Sequence, residues 1–179
     1  MLIDLQKAID HPSWGQRNNV DAEQQIYRIL TTWRKLNMPI IHIKHMSTDP
    51  NSHYRPGQAG NDFKDIVLPL NNEVIITKGT NSAFIETELS TKLREDNITD
   101  IVIVGVITNN SVEATARMSG NLGFGTCVVS DASYTFNKKD YSGKWHDAEE
   151  VHNMSLANLS GEYADILTTD NVLKRVENL

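Results

Sequence analysis

Three side chains able to carry charge or exchange a proton follow apolar runs in this chain. Asp4 comes after Met1-Leu2-Ile3, Lys78 after Val74-Ile75-Ile76-Thr77, and Ser111 in the polar turn after Ile101-Val102-Ile103-Val104-Gly105-Val106. An acid, an ammonium and a hydroxyl are groups that can hold charge or exchange protons, and each stands where a strand is expected to end. Ser111 also opens a segment of helical composition, where the free N–H groups of a first helical turn favour developing negative charge. Taken singly, the three are ordinary: a strand-end cap, a solvated surface charge and a helix cap. Their common placement at strand ends raises the question of chemistry.

The elements that must position them alternate. Residues 20 to 37 place Ile26, Ile29, Leu30, Trp33 and Leu36 on one helical face, with Asn19 as a suitable cap and Pro39 as a stop. Strands are expected at 40–43, 73–77, 100–106, 126–130 and 164–168, and helices at 84–96, 111–122, 147–160 and 169–177. Gly123 suits the end of the helix before it. Only three residues precede Asp4, so strand one is either short or preceded by further residues. Residues 46–72 carry Pro50, Pro56, Gly57, Gly60 and Pro69 and no periodicity, a length that marks functional loops. The pattern predicts an α/β, three-layer Rossmann-like fold: a six-stranded parallel sheet, order 3-2-1-4-5-6, with helices on both faces. Strands one and four are then neighbours, and Asp4 and Ser111 face the crevice at the topological switch point. Lys78 reaches it from strand three on a long stem.

With 179 residues and 39% hydrophobic content, the chain suits one domain spanning 1–179. Its net charge of −6 comes without a basic run, which argues against nucleic acid or an acidic membrane surface as partner and for a small-molecule substrate. Cys127 is the single cysteine, so no internal disulfide forms, and neither an apolar leader nor a membrane span is visible. A cytoplasmic location is expected. No GxGxxG or GxxxxGK[ST] pattern occurs, and no cofactor is expected. His42 and His45 lie three apart on a strand and so point to opposite faces, which gives no metal site. Cys127, within a strand, reads as a small hydrophobe.

The segments Ile3-Asp4-Leu5-Gln6, Thr77-Lys78-Gly79-Thr80-Asn81-Ser82-Ala83-Phe84 and Gly105 through Arg117 resemble the signature blocks of the isochorismatase-like cysteine hydrolases. That superfamily includes nicotinamidases and N-carbamoylsarcosine amidohydrolase. His11 through Asn19 further resembles a streptothricin-hydrolase-like subgroup. The resemblance implies a catalytic triad of Asp4, Lys78 and Ser111. In it Asp4 takes the nucleophile's proton, Lys78 steadies charge, and the attack falls on an amide or carbamoyl carbon. It implies an oxyanion hole from the backbone N–H groups of Ile107 and Ser111, after a cis peptide at Val106-Ile107. It also implies a homo-oligomer, dimer or tetramer. The metal-binding Asp-x-His block of nicotinamidases is missing, with Met46-Ser47-Thr48-Asp49 in its place. Trp14, His45 and Phe84 stand near strand ends as candidate substrate-binding walls.

Position 111 departs from the family, which has cysteine there. A thiol with a pKa near 8.5 is readily tuned to a thiolate, whereas a serine hydroxyl is far less acidic and an aspartate is a poor base for it without a histidine relay. Amide hydrolysis by the serine form should be severely impaired. Three explanations stay open at this stage: a deliberate replacement of cysteine, an isochorismatase-type vinyl-ether hydrolysis that needs no covalent nucleophile, and a non-catalytic small-molecule binder.

Overall fold

The computed structural model describes residues 1–177. The main sheet is built from β1 (Leu2–Ile3), β2 (Ile41–His45), β3 (Val74–Lys78), β4 (Asp100–Val106), β5 (Gly125–Tyr134) and β8 (Asp165–Leu167). They run parallel in the order β3-β2-β1-β4-β5-β8, as the alternating pattern predicts. A two-stranded antiparallel hairpin that the pattern does not foretell, β6 (Lys138–Lys139) with β7 (Trp145–His146), follows the long β5. Its strands are too short for a period to register.

Helices α1 (Ala22–Lys35) and α5 (Thr169–Val176) cover one face; α2 (Leu89–Glu95), α3 (Glu113–Asn121) and α4 (Ala148–Leu159) cover the other. The apolar stripe of α1 works as its spacing predicts: Ile26, Ile29, Leu30 and Trp33 are buried, each contributing roughly 2 kcal/mol. Leu36 is exposed, because the helix ends one residue before it.

Three further expectations are corrected. Asn19 does not cap α1: it has φ 42°, and its amide donates to the Ser130 and Ser133 carbonyls, tying the helix approach to β5 instead. The helix expected from residue 84 begins only at Leu89, because Glu86 takes a left-handed φ of 55° that ends any helical run. The helix expected from Ser111 is preceded by a wide π-type turn, Thr108–Val112, that loses helical dihedrals at Asn109.

Candidate active site

Strand β1 is two residues long, yet it lies between β2 and β4, with Leu2 opposite His42 and Val104, and Ile3 opposite Ile43 and Gly105. Close approach at this seam depends on Gly105, whose φ is 125° and where a Cβ would collide with the Ile3 backbone. Beyond the seam Asp4 turns with φ 52°, one of the few residue types that tolerate left-handed backbone, and its N–H still bonds the Ile43 carbonyl. The carboxylate is thereby delivered over the carboxyl end of the sheet.

There the structure brings together the three residues the sequence singles out. The Lys78 ammonium donates to Asp4 Oδ2 at 2.7 Å, to the Thr80 carbonyl at 3.0 Å and to Ser111 Oγ at 3.3 Å. Asp4, Lys78 and Ser111 are 4%, 2% and 7% exposed, so these charges meet with little water between them. Burial raises the Asp4 pKa above its ordinary value, while the charge and hydrogen bond of Lys78 oppose. A carboxylate with a raised proton affinity is a better base than a free one. Its second oxygen, Oδ1, is buried with no hydrogen-bond partner among the described residues. The Val106–Ile107 peptide is cis, and it leads directly into the turn that carries Ser111.

The other expected residues divide. Trp14 anchors its indole N–H on the Ala8 carbonyl at 2.9 Å, stacks on Phe136 at 5.6 Å and meets Tyr54 edge-on. Tyr54 in turn meets the His45 ring at 5.6 Å and donates its hydroxyl to the Asp4 carbonyl at 3.3 Å. A continuous wall of rings therefore runs from Phe136 to His45 beside Asp4. Phe84 lies elsewhere, stacked on Phe124 in the core between the sheet and α2–α4, only 8% exposed. His42 points to the α1 side, its Nε2 2.8 Å from Glu73, and so diverges from His45. Cys127 is partly buried in β5, and burial pushes its thiol up to about 12, outside the range of a useful nucleophile.

Sequence reading missed the residues that hold His45. Gln6 accepts from the His45 N–H at 2.7 Å and donates to its carbonyl at 3.0 Å, and Asn61 donates to the same carbonyl at 3.0 Å. The side-chain amide of Gln6 thus continues the ladder between β1 and β2 where β1 itself has ended. Asn61 and Tyr54 belong to the aperiodic segment 46–72, which has no local signal to single them out. Volume and chemistry part company in this molecule. A groove of about 880 Å³ lies at the opposite, amino-terminal edge of the strands, around Met1, Trp33, Ile41, Val102 and Phe124, away from every charged group just described.

Residues 1–171 match the Isochorismatase domain family. The uncharacterized isochorismatase family protein YrdC of Bacillus subtilis (strain 168) is 46% identical over 173 residues, covering 97% of this chain and 92% of that protein. Nicotinamidase 3 of Arabidopsis thaliana is 26% identical over 167 residues, covering 84% and 79%. Among solved structures, an isochorismatase-family protein from Chromobacterium violaceum ATCC 12472 superposes with a TM-score of 0.97 at 50% identity, covering 99% of this chain and 92% of that one. With a sheet order, a whole-length match and a buried polar cluster that all agree, the chain belongs to the isochorismatase family of hydrolases.

Proposed function

We propose that this hydrolase cleaves a C–N bond in a small amide or carbamoyl compound, using Asp4, Lys78 and the residue at position 111. The observation that carries the reading is the ammonium of Lys78, buried and in contact with both the Asp4 carboxylate and Ser111 Oγ. In the reaction, the nucleophile at 111 gives its proton to Asp4 and adds to the carbonyl carbon. The oxyanion is met by the backbone N–H groups of Ile107 and residue 111. Asp4 returns the proton to the nitrogen as the C–N bond breaks, and water then releases the acyl group. Lys78 keeps the carboxylate oriented and balances charge as the proton moves. A relative carrying the name nicotinamidase supports a small amide as the substrate class.

Serine limits the rate. Among the described residues no histidine bonds Ser111 Oγ, so the relay that aspartate needs to ionise a hydroxyl is not in place. The Ser111→Cys variant should raise kcat/KM at least a hundredfold on some member of a panel of amides, ureides and carbamoyl compounds. No gain on any member overturns the reading. Serine itself favours the second reading, hydrolysis of a vinyl ether by water with Asp4 as acid. Activity that survives Ser111→Ala and vanishes in Asp4→Asn would establish it. Ligand binding without turnover in every form would identify a non-catalytic binder.

A further inference from the structure

The triad leaves one buried group without a task. His45 Nδ1 is buried and has no hydrogen-bond partner among the described residues, a costly arrangement for an imidazole nitrogen. The residue is nevertheless held with care. Its backbone N–H and carbonyl are both held by the Gln6 amide and the carbonyl again by Asn61, and its ring is braced by the edge of Tyr54, which also bonds Asp4. In the sheet register His45 stands opposite Lys78. Asp4, whose charge His45 feels, likewise has a buried oxygen, Oδ1, without a hydrogen-bond partner among the described residues.

We propose that His45 is the receptor for the leaving nitrogen, its Nδ1 accepting an N–H of the scissile amide while Asp4 Oδ1 delivers the proton that completes the departing amine. This rests on the C–N hydrolase reading and narrows it. The preferred substrates are those whose scissile nitrogen carries hydrogen, primary amides and carbamoyl groups above all, and ammonia is the product. The step balances: the nucleophile's proton passes to Asp4 and then to nitrogen, the C–N bond breaks, and the hydrogen bond to His45 is kept throughout with no net transfer. Accepting requires a neutral ring. Burial pushes the His45 pKa down, the Asp4 charge opposes and that of Lys78 adds. Asp4, Lys78 and Tyr54 are the titratable groups facing it from the packed elements.

The test uses benzamide, N,N-dimethylbenzamide and methyl benzoate, which share a ring and differ in the hydrogens on the leaving atom. Binding to the unmodified chain is measured by calorimetry, and turnover in the Ser111→Cys variant. Benzamide should bind at least tenfold more tightly than the other two. His45→Leu should erase that preference, and His45→Gln, which keeps an acceptor, should restore part of it at an unchanged Tm. In the Ser111→Cys background, His45→Leu should lower kcat/KM for benzamide at least tenfold more than it lowers that for methyl benzoate. Equal binding of the three probes, or a preference unchanged in both His45 variants, overturns the proposal. Intact binding preference with no turnover in the Ser111→Cys variant would instead overturn the hydrolase reading and with it the proton delivery, leaving His45 as an amide-binding contact alone.

Discussion

At the residue scale, the chemistry of this site is a matter of proton affinity. Burial raises Asp4 toward usefulness as a base and raises Cys127 beyond it, so the one thiol present is the wrong one. Alkylation checks this contrast. At pH 8 the folded chain should react with iodoacetamide on the order of a hundredfold more slowly than free cysteine, because a thiol at about 12 offers almost no thiolate. The Ser111→Cys variant should gain a single fast-reacting site, since a thiol there faces the Lys78 ammonium. Equal slow labelling in both forms would show that position 111 lacks the electrostatic activation argued for it. Asp4 and Lys78 were legible because each ends an apolar run. The clamp of Gln6 on His45 was not, because it joins residues 39 positions apart that only the sheet brings side by side.

At the element scale, a two-residue strand positions Asp4, and it does so through its neighbours. Gly105 lets β4 pass within contact of Ile3 with a dihedral that other residues rarely adopt. Gly105→Ala should therefore cost about 1–3 kcal/mol from backbone conformation, with the collision added. It should also abolish turnover in the Ser111→Cys background by moving Asp4 from Lys78. Denaturant melts and kinetics measure the two effects, and wild-type values in both would remove the seam from the account. Strand and helix order were predictable, since long periodic segments announce themselves. The late start of α2 and the π-type turn before α3 were not, because Glu86 and Asn109 take dihedrals that no local composition demands.

At the scale of the whole molecule, the long segment 46–72 is a structural wall tied down by charge. Lys64 bonds Asp10 at 2.6 Å and Glu23 at 2.8 Å, and Glu23 also receives Arg17, which lies 3.5 Å over the Tyr134 ring. Burial alone would push Glu23 up, but hydrogen bonds from Arg17 and Lys64, with their charges, hold it at about 2. A depressed carboxyl stabilises the fold above its unfolded pKa of about 4.5, and that stabilisation is lost as pH falls through about 2. The contribution at neutral pH is roughly 3 kcal/mol. Glu23→Gln should lower the urea midpoint at pH 7 and flatten its decline between pH 4.5 and 2. An unchanged acid limb would show that the network contributes nothing. No helix among the described residues is long and apolar enough to cross a membrane.

The amino-acid sequence by itself determined the layers, the strand order and the three chemical groups at the sheet's carboxyl edge. Each of these follows from hydrophobic period and from the rule that parallel strands wind outward from a switch point. The tertiary structure alone decided which rings face Asp4, that Phe84 belongs to the core, and that His45 is fixed by partners from two other segments. Those outcomes depend on contacts between residues far apart in the chain, whose energies no local pattern encodes.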